Sequence, residues 1–259
     1  MKTIAFFNVK GGVGKTSSTI NIALALSQIF EKKVLVIDLD AQANTTDYFD
    51  RYDNPYTTEN VLTGTGQDGE KITIKEAITK TAYERIDIVS SRLSLGRCEK
   101  ALVADITVPQ QFRLTGQLKA IQNDYDFCLL DLSPAAESLV NTNGIACADA
   151  VYVPLKCDNW AIRGLDATLA VIDTISSYNA NLTFGGCFFV QWENRNINKT
   201  IYDMLQKQLE EKMLPYRIRK NVKVEECSYT RNSIFSERHN TAAEDYKNLA
   251  AYIGGIENG

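Results

Sequence analysis

Short, nearly continuous apolar runs recur along the chain, separated by stretches whose apolar positions fall three or four apart. The runs lie at residues 3–8, 33–38, 86–91, 125–131, 150–155 and 182–190, and their lengths suit buried strands. Between them, residues 16–30 place Ile20, Ala23, Leu24 and Leu26 at helical spacing without Gly or Pro. Residues 111–123 do the same with Phe112, Leu114, Leu118 and Ile121. Further helices are predicted at 99–103, 137–148, 161–175, 201–213 and 246–253, with short helical pieces at 60–62 and 74–78. Strands alternating with helices predict an α/β fold, a doubly wound and mostly parallel sheet flanked by helices with right-handed crossovers. No stretch is rich enough in Pro, Gly or Ser to divide it, so one domain over residues 1–259 is expected.

Composition narrows what such a domain does. Hydrophobic content of 44% is ample for a core. A net charge of −4 means that any nucleic-acid contact must come from a local patch rather than the overall field. Cys98, Cys128, Cys147, Cys157, Cys187 and Cys227 are scattered without a C-x-x-C pair, and read as small apolar residues in a reducing cytosol. The first strand begins at about residue 3, which leaves no room for a signal peptide. No apolar run approaches the ~18 residues of a membrane span.

The chemistry concentrates in the turn after the first strand. Lys10, Gly11, Gly12, Val13, Gly14, Lys15, Thr16 and Ser17 join that strand to a helix, the context a phosphate-binding loop needs. Glycines let backbone N–H groups turn inward, and the helix N-terminus adds its dipole to the anion site. Lys15 can reach the β- and γ-phosphates of a nucleotide, and the Thr16 hydroxyl can hold Mg²⁺. Downstream, Asp38 and Asp40 stand at the C-terminal end of the second strand, where open α/β sheets bind ligands. Two residues apart, they are expected to project to one side, near a metal and an attacking water. Asp131 closes the run 125–131 in the form of a Walker B acid. Either feature, read alone, is equally an ordinary acidic loop start.

Val9 occupies the position where the standard P-loop pattern has its first Gly, and a second lysine, Lys10, opens the motif instead. That string resembles the deviant Walker A motif of the ParA/MinD ATPases. Asp38 to Asn44 resembles the family's D-x-D-P-Q-G-N segment, with Ala41 and Ala43 in place of Pro and Gly. The turn at Leu132, Ser133 and Pro134 resembles the family's Asp-Thr-Pro-Pro imperfectly. The resemblance runs from Lys2 to about Ile253. It implies a slow Mg-ATP hydrolase that forms a face-to-face homodimer, with Lys10 reaching the partner's phosphates, Asp40 positioning water, and Thr16, Asp38 and Asp131 serving the metal. It further implies non-specific binding of double-stranded DNA in the ATP state and release when a ParB-like centromere-binding protein stimulates hydrolysis. The protein would then be cytoplasmic and nucleoid-associated, and would segregate plasmid or chromosomal DNA.

Residues 217–223 carry four cations in seven, with Arg195 upstream. By composition this reads first as a solvated basic edge, since Glu225 and Glu226 follow. By resemblance, Arg195, Arg219, Lys220 and Lys223 are the DNA contacts. His239, the only histidine, has no metal-ligand companions. Three other readings are weighed. A MinD-like membrane ATPase needs a basic amphipathic C-terminal helix, but the tail after Ile253 is short and acidic. A metal-cluster carrier needs paired cysteines. A nucleotide-gated DNA-binding adaptor without significant turnover fits loss of Asp40 or Lys15, and both are present. With the first strand this early, no N-terminal helix-turn-helix extension is expected.

Overall fold

The computed structural model of the chain describes residues 1–158 and 161–256. The elements follow in the order β1 (Lys2–Phe6), α1 (Lys15–Gln28), β2 (Val34–Leu39), α2 (Asn44–Phe49), α3 (Thr58–Thr63), α4 (Ile74–Ala77), β3 (Ile78–Lys80) and β4 (Ile86–Val89). Next come α5 (Leu95–Ala104), α6 (Arg113–Leu118), β5 (Phe127–Leu132), α7 (Leu139–Ala146), β6 (Ala150–Lys156) and α8 (Ala161–Ser176). The chain continues through β7 (Thr183–Trp192), α9 (Asn196–Leu209), β8 (Met213–Arg219), α10 (Val222–Thr230) and α11 (Thr241–Gly254).

The strands form one sheet in the order β3-β4-β2-β5-β1-β6-β7-β8, parallel throughout except for the β3–β4 edge pair. This is the doubly wound P-loop type of α/β fold. Each central strand is apolar on both sides because helices cover both faces. In β2, Leu35, Ile37 and Leu39 join the core under α3, α5, α6, α7, α8 and α9, whereas Val34 and Val36 join the core under α1 and α11. Among the described residues, no helix is long and apolar enough to cross a membrane. The tail residues 257–259 lie outside the described residues. Cys98, Cys128, Cys187 and Cys227 are buried, Cys147 and Cys157 half-buried, and all six are free thiols.

Several boundaries differ from the sequence expectation. The helix expected at 201–213 stops at Leu209, and Met213 opens β8. The apolar positions of β8 (Met213, Leu214, Ile218) are too few and unevenly spaced to announce a strand. Residues 110–121 break into a short 3-10 turn, α6 and a second 3-10 turn rather than one helix. The last helix starts earlier, at Thr241, because the Asn240 side chain accepts from the backbone N–H groups of Ala242 and Ala243.

Candidate functional site

The phosphate-loop motif spans the gap between β1 and α1, at the C-terminal edge of the sheet. Asn8 braces it from below: its Nδ2 donates to Pro154 O at 2.9 Å, and its Oδ1 accepts from Lys10 N at 2.9 Å. Gly12 (φ 72°) and Gly14 (φ 78°) are left-handed, the conformation that lets the chain curl before the helix. Val13 is buried between them. Gly14 is the N-cap residue of α1, so Lys15, Thr16 and Ser17 form its first turn. Together with Asp40, Gln42 and Pro134 they line a cleft of about 410 Å³.

Lys15 is 7% exposed, and its Nζ donates to the carbonyl oxygens of Asn8 and Lys10, both at 3.0 Å. Burial lowers its pKa, and the carboxylates of Asp131 and Asp40 oppose that drop. Thr16 Oγ1 donates to Asp131 Oδ2 at 2.8 Å, and Thr45 Oγ1 donates to the same oxygen at 2.6 Å. The other oxygen, Asp131 Oδ1, is buried with no hydrogen-bond partner. A buried carboxylate oxygen without a partner, beside a P-loop threonine, suits a divalent cation or a water of its shell.

Asp131 and Asp38 are register partners on β5 and β2. Both are buried, and their environments differ. Burial, then the Asp131 charge, push Asp38 up to about 8. Burial likewise raises Asp131, to about 6, while donation from Thr45 and Thr16 pulls it back. The expected placement of Asp38 beside Asp40 on one open face is not what the structure contains. Asp38 accepts from Asp40 N (3.1 Å) on one oxygen and from Thr46 N and Oγ1 (2.9 and 2.7 Å) on the other. Asp40, past the end of β2, is half-buried, caps Gln42 N at 2.9 Å and lines the cleft. One acid is a buried brace, and the other faces the cleft.

Residues 1–184 match the AAA domain family. The chain is 32% identical over 256 residues to the virulence plasmid ParA family protein pGP5-D of Chlamydia psittaci, covering 98% of this chain and 94% of that one. The chain belongs to the ParA family. It is also 28% identical to the chromosome-partitioning ATPase Soj of Treponema pallidum, covering 97% of this chain and 96% of the relative. In fold it is similar to a putative plasmid partition protein of Borrelia burgdorferi, solved bound to AMPPNP. That match has a TM-score of 0.78 at 22% identity and covers 97% of this chain and 98% of the other.

In this ParA-family chain the second motif lysine does not point into the cleft. Lys10 Nζ is gripped by both oxygens of Asp158, at 2.7 and 2.8 Å. Its aliphatic stem lies over Gly164 of α8, where a Cβ would fall 2.5 Å from Lys10 Cδ. A second cavity, of about 280 Å³, shares Gly14, Ser17 and Gln191 with the phosphate cleft and continues past Arg219 and Tyr246. Sequence reasoning missed it as a cavity, since it is built where the ends of β7 and β8 meet α1, α10 and α11, segments far apart in the chain.

The four cations expected to contact DNA do gather near the end of β8, but each has an acidic neighbour. Arg195 pairs with Glu193 at 3.0 Å, and Lys220 Nζ lies 3.8 Å from the same carboxylate. Arg219 pairs with Asp245 at 2.7 Å and Glu244 at 3.3 Å. Lys223 pairs with Glu226 at 2.7 Å and Glu237 at 3.7 Å. Arg217, the remaining cation of the cluster, stacks on the rings of Tyr202 and Trp192, 3.9 and 4.8 Å from their centroids.

Proposed function

We propose that the protein is a dimerising Mg-ATPase of DNA partition, using the P-loop cleft as its nucleotide site. The observation that carries this reading is the Thr16–Asp131 pair at 2.8 Å beside a buried, unpartnered Asp131 oxygen, with Lys15 at the same helix start. The backbone N–H groups of Gly11 to Ser17 and the N-terminus of α1 receive the phosphates. Lys15 gives up its two carbonyl contacts for the β- and γ-oxygens. Mg²⁺, when bound through Thr16 and Asp131, neutralises charge on the phosphates. The second cavity takes the nucleobase, because it opens from the phosphate cleft past Gly14 and Ser17.

Asp40 faces the cleft and is suited to orient an attacking water. Asp38, with its oxygens committed to Asp40 and Thr46, supports the loop from beneath rather than ligating the metal. Lys10 completes the catalytic charge in trans once two subunits meet around their nucleotides, so turnover in an isolated subunit is slow. Arg195, Arg219, Lys220 and Lys223 then meet DNA phosphates without reading bases, which would hold the ATP dimer on the nucleoid. A ParB-like partner accelerates hydrolysis and releases it.

The direct test measures ATP hydrolysis with Mg²⁺ or EDTA, with and without duplex DNA and a centromere-binding partner. Mg-dependent, slow turnover that DNA and the partner raise together is expected. Turnover indifferent to Mg²⁺, or abolished by neither EDTA nor Lys15→Ala, would remove the reading.

A further inference from the structure

The first turn of α2 presents two consecutive threonines to two different carboxylates. Thr46 serves Asp38, and Thr45 serves Asp131, the register partner of Asp38 on the neighbouring strand. Thr45 is fully buried, and its Oγ1 reaches Asp131 Oδ2 at 2.6 Å. Because Thr16 donates to that same oxygen, Oδ2 carries two hydroxyl donors while Oδ1 carries none.

We infer that Thr45 is a positioning residue for the metal site: it locks the Asp131 carboxyl so that Oδ1 is the oxygen left for the cation or its water. This rests on the proposed Mg-nucleotide reading of the cleft. Two donors on one oxygen fix the carboxyl torsion, which a single donor leaves free to swing. An outer contact of this kind sets the orientation of a metal-binding group without touching the metal.

The far end of α2 is tied down as well, by one hydroxyl contact and two exposed ion pairs that add little. Asp47 and Asp50 receive Arg231 at 2.9 and 2.8 Å, and Tyr48 OH donates to Asn232 O at 2.8 Å. These contacts tie α2 to the segment following α10. The Thr45 hydroxyl therefore sits on a short helix contacted at both ends, which supports a settled aim on Asp131. The sequence offered no sign of this role, since the two threonines follow the D-x-D segment as ordinary polar residues.

The experiment titrates Mg²⁺ into protein held with a fluorescent (N-methylanthraniloyl) ATP analogue, and separately measures binding of that analogue in EDTA. Thr45→Val keeps the shape and removes the hydroxyl, and Thr45→Ser keeps the hydroxyl. Thr45→Val is expected to raise the Mg²⁺ midpoint by roughly 10–100-fold, with Thr45→Ser close to wild type and affinity in EDTA unchanged for both. If Thr45→Val does not fold, Thr45→Ala carries the same expectation. An unchanged midpoint in the hydroxyl-free variant overturns the inference, as does a matching loss in EDTA, which would mark a general disturbance of the loop. Failure of the underlying reading is distinguishable, because wild-type protein would then show no Mg-dependent signal at all.

Discussion

Lys10 and Asp158 form a two-oxygen ion pair within one subunit, at 2.7 and 2.8 Å, across the mouth of the phosphate loop. A lysine acting on the partner's nucleotide has to leave that pair first. The side chains are 23% and 37% exposed, so the pair is worth only about 0–1 kcal/mol and opens readily. Asp158→Asn should therefore favour the ATP-bound dimer, by up to about fivefold for each of its two Lys10 side chains and so up to roughly thirtyfold in dimer dissociation constant. Lys10→Ala should impair hydrolysis and dimerisation more than ATP binding by each subunit. Mixing Lys10→Ala with Asp40→Ala gives heterodimers with one intact face. Sedimentation with ATP, together with the ATPase rate of the mixture, checks all three. Weaker dimerisation in Asp158→Asn, or a heterodimer with no activity, counts against the trans assignment.

Lys15 is the charge most enclosed by the loop. Replacing it with Ala removes charge-assisted hydrogen bonds to the phosphates, each worth about 1.5–3 kcal/mol. Each such bond removed should weaken ATP binding by roughly 10–150-fold. Calorimetric titration reads this directly, and circular dichroism verifies that the fold survives. Wild-type affinity in Lys15→Ala would sink the P-loop assignment.

Asp40→Ala should separate binding from turnover. Its carboxylate faces the cleft and holds only Gln42 N among the cleft residues, so ATP binding should persist. Without a group to orient water, hydrolysis should nearly stop and the dimer should accumulate on size exclusion with ATP and Mg²⁺. Normal turnover would transfer the water-orienting role to another residue.

The P-loop, its strand and its helix were legible in the sequence because their chemistry is local. Glycines, a lysine and a threonine at fixed spacing fall where one strand ends and one helix begins. The roles of Asp38 and Asp40 were not separable in that way. Spacing put both at the end of β2, whereas burial under α2 and donation from Thr46 decided that only Asp40 reaches the cleft. The acidic partners of the basic cluster were hidden for a similar reason. Glu193, Asp245 and Glu237 come to it from elsewhere in the chain, and no local pattern shows that they meet Lys220, Arg219 and Lys223. The edge strands β3 and β8 were missed because few of their positions are buried.

Packing of α7 beneath the carboxylates offers a test independent of nucleotide. A Cβ on Gly144 would lie 2.5 Å from Leu132 Cδ2 and 2.9 Å from Leu39 Cδ1, pressing on the strands that carry Asp131 and Asp38. Gly144→Ala should cost about 1–3 kcal/mol by overpacking. Gly116 lies in α6 with open space around the same position, so Gly116→Ala should stabilise by about 0.5–1 kcal/mol through helix propensity. Thermal melts of the two variants should move in opposite directions. Equal shifts would mean that α7 does not pack on β2 and β5 as described.

The basic cluster makes the sharpest demand on charge. Arg195, Arg219, Lys220 and Lys223 stand within 4 Å of Glu193, Glu226, Glu237, Glu244 and Asp245, so four cations face five carboxylates. A surface so balanced has little net field to attract DNA, and binding must exchange carboxylates for phosphates. Dimerisation doubles the number of sites that exchange at once. With about two to four phosphates neutralised per subunit, log K against log salt should fall with a slope of roughly −4 to −7, and a monomer should show about half of that. Removing the competing acids should help: Glu193→Gln with Glu226→Gln should strengthen DNA binding, most visibly at low salt. Lys220→Glu with Lys223→Glu should strip it while ATP-dependent dimerisation persists. Phosphate contacts carry no sequence information, so unrelated duplexes should bind alike. Fluorescence anisotropy across a salt series measures each of these. Unchanged affinity in both double variants would move the DNA surface away from the end of β8 altogether.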